Sequence, residues 1–300
     1  MTDRTATAAF ASPAPTRIGP ATFRWGEQTY IMGIVNATPD SFSGDGLLAA
    51  GRDATTAAVA LGRRMAADGA DLLDVGGEST RPGHAEVAAD EELARVIPVI
   101  VALRAALPGM PLSVDTTKPA VAAAALDAGA DLLNDVWGVG SDDSIARLAA
   151  DRGVPLVVMH NRAEPRYQDL LPEVIADLRA AVDRAVRLGV RRDAVIVDPG
   201  FGFGKTPEQN LALVRELGTL RALGRPILLG TSRKSTLGRV LDLPVGDRLE
   251  ATLATTALGI AGGADLVRVH DVRANVRAAR ISDAIIRANW RPVAARGGPS

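Results

Sequence analysis

One short phrase occurs three times in this chain: Gly-Ala-Asp-Leu-Leu at Gly69 and Gly129, and Gly-Ala-Asp-Leu-Val at Gly263. In each copy the glycine closes a segment of helical period, Ala-Asp makes a turn, and an apolar strand begins. Five residues after each glycine stand Asp74, Asn134 and Arg268, so polar side chains arrive as these strands run out. A recurring helix-to-strand joint of this kind leaves few architectures open.

The rest of the chain follows the same rhythm. Strands are expected at "YIMGIVN" (30–36), "DLLDVGG" (71–77), "LSVDT" (112–116), "DLLNDV" (131–136), "PLVVMH" (155–160), "AVIVDPG" (194–200), "PILLGTS" (226–232) and "DLVRVH" (265–270). Helices are expected over 54–68, 90–106, from Pro119, and near 142–152, 172–188, 208–223, 247–261 and 272–288. The strands are unbroken Val/Ile/Leu runs, which suits a parallel sheet covered on both faces. Eight strands alternating with eight helices in 300 residues favour a (β/α)8 TIM barrel of class α/β, with a doubly wound open sheet as the alternative. Apolar residues at 47% supply a large core. The expected domain spans 21–288, with 1–20 a disordered Ala/Thr/Pro-rich leader and 289–300 a flexible tail.

Composition removes several function classes. A net charge of −1 leaves no electrostatic footprint for nucleic acid or an acidic membrane. The chain has no cysteine, which excludes disulfides, thiolate zinc sites and a cysteine nucleophile. No apolar run approaches the length of a membrane span and no secretory signal opens the chain, so a cytoplasmic location is expected.

In a (β/α)8 barrel the site lies at the C-terminal ends of the strands, and there the polar residues collect. Strand by strand these are Asn36, the "GESTRPGH" segment, Asp115, Asn134-Asp135, His160, Asp198, Ser232-Arg233-Lys234-Ser235, and Arg268 with His270. Each alone has a plain explanation. Asp115 could cap the next helix, Asn134 could bond loop backbone, and His160 could be a packed histidine. Together they form a rim with two chemical characters. Arg81, Arg268, His270, Lys234 and the turn at Ser235 can donate to an anion, whereas Asp115, Asn134 and Asp198 suit the N–H edge of an aminopyrimidine. A flat nitrogen heterocycle carrying a phosphate or diphosphate is the expected substrate. Two Gly/Ser/Pro-rich segments, 36–46 and 76–86, carry Phe42, Thr80 and Arg81 and are placed to act as lids. Of 34 basic residues only Lys118, Lys205 and Lys234 are lysines, a hint that a compact ammonium is needed there.

"DPGFGFGKT" (198–206) invites a nucleotide-binding reading and fails it. The phosphate-loop pattern needs Gly at 199, which is Pro, and the dinucleotide fingerprint needs Gly at 205, which is Lys. The stretch is expected instead to be a loop after the sixth strand, with glycines that let backbone pass close to a flat ring and with Lys205 away from any phosphate.

"NATPDSFSGDG", "DVGGESTRPG", "SVDTTKP", "LLNDV", "DPGFGFGK", "GTSRKS" and "VRVHDV" stand in the order of the signature segments of dihydropteroate synthases, and the chain resembles that family over about residues 28–287. The resemblance implies a dimeric (β/α)8 transferase of folate biosynthesis. It joins 4-aminobenzoate to 6-hydroxymethyl-7,8-dihydropterin diphosphate, releases pyrophosphate with Mg2+ present, and is a sulfonamide target. By motif match Asn36 is the metal ligand. Asp115, Asn134, Asp198 and Lys234 hold the pterin; Arg81, Arg268 and His270 hold the diphosphate; and Thr80, Pro82, Phe42, Phe203 and Ser235 build the aminobenzoate pocket. Arg81, Lys234, Arg268 and His270 are the expected catalytic group. Two departures bear on the loops: the order Gly44-Asp45, and Asn161-Arg162 after His160. The alternatives are a non-catalytic pterin-binding relative, a folate-to-corrinoid methyltransferase on the same barrel, and a Schiff-base aldolase using Lys234.

Overall fold

The structure, a computed structural model, describes residues 12–37, 54–78, 87–137 and 142–288. It begins with an antiparallel hairpin, β1 (Thr16–Ile18) and β2 (Ala21–Phe23). Eight parallel strands follow: β3 (Tyr30–Asn36), β4 (Leu72–Gly76), β5 (Leu112–Asp115), β6 (Leu132–Asp135), β7 (Leu156–Met159), β8 (Val195–Asp198), β9 (Leu228–Leu229) and β10 (Leu266–Val269). From β3 to β8 each pairs with the next, and β10 pairs with both β3 and β9. A bridge from Val197 to Ile227 closes the ring between β8 and β9. The sheet is therefore a barrel, and the open-sheet alternative falls. Expected and observed strands agree in place, although the "PILLGTS" strand shrinks to Leu228–Leu229. Likewise the helix expected over 208–223 is a helix at Pro207–Arg215 followed by a tighter 3-10 stretch at Leu217–Leu223.

The period of two along each strand divides the core. Ile31, Leu73, Val114, Leu133, Val158, Val197, Leu229 and Val267 pack outward with the helices. Tyr30, Met32, Leu72, Leu132, Val157, Ile196, Leu228 and Leu266 form a second, inner cluster. Ile18, Phe23 and Trp25 join that inner cluster, so the hairpin plugs the end of the barrel where the strands begin. The Phe23 and Tyr30 rings pack at a tilt with centroids 4.6 Å apart, and Trp25 Nε1 donates to Thr16 Oγ1 at 2.9 Å. Residues 16–20 thus differ from the disordered leader expected of them. The apolar Ile18 and Phe23, almost fully buried, outweigh the Ala/Thr/Pro composition around them.

The repeated Gly-Ala-Asp phrase has a clear structural role. Gly69, Gly129 and Gly263 sit at φ of 101°, 112° and 95°, a region glycine adopts freely. The following alanine N–H closes the helix behind it, for instance Ala70 N to Met65 O at 2.9 Å. Each aspartate then brackets one residue of the neighbouring strand. Asp71 N–H donates to Ile31 O at 2.9 Å while its Oδ2 accepts from Ile31 N at 2.7 Å. Asp131 does the same to Leu112, and Asp265 to Ile227. The motif sets strand register at the closed end and leaves the other end to chemistry.

Burial pushes the Asp71 carboxyl up to about 6, although the Ile31 N–H pulls it back. The folded state therefore holds this proton more tightly than the unfolded chain. That contribution to stability is complete below the ordinary carboxylate range and is lost as pH rises through about 6. Asp71→Asn keeps an oxygen for Ile31 and buries no charge. It should melt at or above the parent's temperature at neutral pH and flatten the melting curve's pH dependence across pH 4–7; a lower Tm there would contradict this reading.

Candidate active site

At the mouth of the barrel the inward positions turn polar, one step beyond the plug. Asp115 and Asn134 face each other in register on β5 and β6. Asp74 of β4 is fully buried and accepts two bonds on Oδ2, from Arg268 Nε at 2.6 Å and Asn134 Nδ2 at 3.1 Å. Arg268 also donates through Nη2 to Asp115 Oδ2 at 2.7 Å. One guanidinium thus serves two buried carboxylates. Among the described residues, Asp74 Oδ1 and Asp115 Oδ1 have no hydrogen-bond partner. A buried carboxylate oxygen left this way is unfavourable, and N–H donors of a ligand would relieve it. Burial drives the Asp115 carboxyl up to about 7 against the pull of Arg268, with Asp74 adding to the rise.

Across the barrel Asp198 ends β8. Its Oδ1 accepts the Gly200 N–H at 2.7 Å, and burial raises its pKa while Lys234 opposes the shift. Lys234 donates to Phe201 O and lies 4.4 Å from the centroid of the Phe203 ring. Burial lowers its pKa to about 8, with Asp198 resisting. His270 sits at the end of β10 beside Ser232, whose Oγ accepts the His270 N–H at 3.2 Å and lies 2.9 Å from Nδ1. With the hydroxyl donating to Nδ1, the ring's remaining donor is Nε2–H. Arg233, held at a positive φ of 57°, forks onto Asp271 at 2.6 and 3.0 Å and ties the loop after β9 to the loop after β10. Ser235 opens the helix Ser235–Leu241 and is exposed. Asn36 ends β3, half-buried.

Residues 32–270 match the family model described as pterin binding enzyme. The chain belongs to the pterin binding enzyme family. The dihydropteroate synthase of Clostridium beijerinckii is 48% identical over 272 residues, covering 90% of this chain and 99% of that one. A dihydropteroate synthase structure from Clostridium difficile, solved in the presence of pteroic acid, superposes with a TM-score of 0.83 at 46% identity, over 88% of this chain and 99% of that one. Another, from Xanthomonas albilineans with 4-aminobenzoic acid, gives 0.81 at 43% identity over 87% and 94%.

Within this pterin-binding barrel, Asp115, Asn134, Asp198, Lys234, Arg268 and His270 converge on one mouth, with Phe203, Ser235 and Asn36 on its rim. Phe42, Thr80, Arg81 and Pro82, together with Gly44 and Asp45, lie outside the described residues. One expectation changes, and Arg268 gains partners that its strand position does not reveal. Arg268, expected among the diphosphate cations, also spans the carboxylates, with Nε bonded to Asp74 and Nη2 to Asp115. Charge balance between two buried acids fixes it there. The glycines of 200–204 were expected to face a flat ring. Instead a Cβ on Gly200 would stand 1.8 Å from His160 O, and one on Gly204 2.1 Å from Arg162 O. They let two loop backbones touch. Asp74 was absent from the expected site, although its place five residues after Gly69, matching Asn134 and Arg268, was the signal for it.

Proposed function

We propose that this chain condenses 6-hydroxymethyl-7,8-dihydropterin diphosphate with 4-aminobenzoate, giving 7,8-dihydropteroate and pyrophosphate. The observation that carries this is the set of buried groups at the barrel mouth, Asp74, Asp115, Asn134 and Asp198, of which Asp74 and Asp115 each keep one oxygen unpaired among the described residues. Such acceptors suit the N–H groups of a reduced pterin. The curated relative and the pteroic acid and 4-aminobenzoic acid complexes of similar chains support the choice of substrates.

The chemistry needs no protein nucleophile. The methylene C–O bond breaks and its electron pair leaves with pyrophosphate. The electron-rich pterin shares the developing cation, and the amine of 4-aminobenzoate forms the C–N bond and releases a proton. The acids, with Asn134 and Lys234, hold the ring that carries this charge, while Arg81, Arg268 and His270 serve the diphosphate. Phe203, with Phe42, Thr80 and Pro82, walls the amine substrate, and the exposed Ser235 meets its carboxylate. Sulfonamides should compete at that end.

Among the described residues no group of three or more acidic or imidazole side chains could hold a metal ion. Mg2+ is commonly held by few protein groups plus substrate phosphates, so the Asn36 amide fits a Mg2+ completed by diphosphate oxygens and water. When bound, the ion would neutralise charge on the leaving pyrophosphate. A homodimer is part of the proposal. Leu258, Ile281 and Ile285 are more than half exposed on the helices Leu249–Ala261 and Val272–Ile286, which pack together, and a second copy would cover them. A cytoplasmic location completes it. No helix among the described residues is long and apolar enough to cross a membrane.

Asp198→Asn tests the pterin assignment. It removes one charge-assisted acceptor, worth about 1.5–3 kcal/mol, so pterin diphosphate affinity by calorimetry should fall roughly ten- to a hundredfold. Unchanged affinity would remove Asp198 from the pterin site.

A further inference from the structure

Lys205, the residue that makes "DPGFGFGKT" look like a phosphate loop, has a position the reaction above does not use. Its Nζ lies 3.1 Å from Gly200 O, 3.0 Å from Phe203 O and 2.9 Å from His160 Nδ1. Three acceptors meet the three N–H bonds of one ammonium. His160 must then be the Nε2–H tautomer, because Nδ1 accepts. That Nε2–H points to Asp177 Oδ2 at 3.2 Å, on the helix Leu170–Arg187. Asp177 also accepts from Arg162 Nη2 at 2.7 Å, and Arg162 reaches Glu173 at 2.7 Å. Burial and the neighbouring Lys205 push His160 down to about 4, so the ring stays neutral.

The chain from Asp177 through His160 to Lys205 therefore links a barrel helix, the end of β7 and the loop after β8. Two further contacts hold the same loop: Asn210 Oδ1 accepts the Gly202 N–H at 2.7 Å, and Tyr167 Oη donates to Gly204 O at 2.9 Å. A backbone bond from Phe203 N–H to Gly200 O at 3.1 Å closes the turn, and Lys205 braces that turn from one side by donating to the carbonyls of both residues. Asp198 needs no such help, since it is anchored in β8 and accepts the Gly200 N–H itself.

We propose that Lys205 is a positioning residue for the amine substrate: clamped between His160 and the carbonyls of Gly200 and Phe203, it fixes the loop that presents the Phe203 ring. The inference rests on the reading that Phe203 walls 4-aminobenzoate. It also accounts for a lysine in a chain whose basic residues are otherwise nearly all arginine. A planar guanidinium cannot address three acceptors converging on one point from different directions.

Burial lowers the Lys205 pKa to about 7, with Asp198 resisting, Lys234 and Arg162 adding to the shift, and Asp177 opposing it. The clamp is complete on the acid side of that value, and the assay belongs there. Lys205→Met should raise the KM for 4-aminobenzoate by about tenfold or more while kcat and pterin diphosphate affinity change by less than about threefold. Lys205→Arg should resemble Lys205→Met. The absence of cysteine permits a chemical rescue. Lys205→Cys, alkylated with 2-bromoethylamine, regains an ammonium at nearly the native reach and should recover the parent KM.

Hydrogen exchange of residues 199–206 in the substrate-free protein separates the two layers of the argument. Faster exchange in Lys205→Met together with the raised KM supports the proposal. Unchanged exchange overturns the clamp itself. Faster exchange with an unchanged KM overturns the positioning role and, with it, the placing of Phe203 against the amine substrate. Full activity of Lys205→Arg would overturn the three-acceptor geometry.

Discussion

Arg268→Met should lower the melting temperature by about 6 °C or more near neutral pH and abolish detectable turnover. The guanidinium is the shared partner of Asp74 and Asp115, whose side chains are 0% and 5% exposed. Breaking a buried pair by removing one partner costs about 3–5 kcal/mol, because the stranded charge stays buried. In a barrel of this size each kcal/mol moves Tm by roughly 2–4 °C. Asp115 can relieve the cost by taking up a proton, since burial already raises it to about 7. Removing Arg268 takes away the cation that opposes this rise, so the Asp115 pKa climbs further. The variant's deficit should therefore be small in acid and grow as pH rises through that range. Melting at pH 5 and pH 8 gives this directly. Arg268→Met with Asp74→Asn should recover part of the loss, since one stranded charge is gone. A variant melting within about 2 °C of the parent at both pH values would show that the two acids are not held by this guanidinium.

Gly200→Ala should cut kcat/KM at least about a hundredfold, though the added methyl touches no substrate. Its Cβ would lie 1.8 Å from the carbonyl oxygen of His160, at a φ of 71° where a side chain is already strained. Backbone cannot yield as a side-chain tip can, so the loop must leave its seat, taking with it the Gly200 N–H bound to Asp198. Gly109→Ala is the matched control, with nothing within 4 Å of its added carbon. Steady-state kinetics on the pair distinguishes a seated loop from a merely glycine-rich one. Equal activity of Gly200→Ala and the parent would contradict the seating.

Much of the architecture is legible because barrel physics repeats itself along the chain. The Gly-Ala-Asp phrase marks three joints, and unbroken apolar runs mark buried parallel strands. The plug was hidden because Ile18 and Phe23 sit among residues of leader-like composition, and only the open end of the barrel gives them something to cover. The site divides in the same way. Asp115, Asn134, Asp198, Lys234 and His270 could be read from strand ends, since position in a strand fixes position on the rim. Which acid Arg268 would neutralise could not, because the pairing joins residues 194 and 153 positions apart. The contacts of Gly200 and Gly204 with a neighbouring loop are likewise set by packing that no spacing encodes.

The most direct measurement is product formation by the purified full chain. With Mg2+, 6-hydroxymethyl-7,8-dihydropterin diphosphate and 4-aminobenzoate, 7,8-dihydropteroate and pyrophosphate should appear in equal amounts, and omission of either substrate should abolish dihydropteroate. Binding of the pterin diphosphate with no dihydropteroate formed would contradict the synthase reading and leave a pterin-binding barrel of another function.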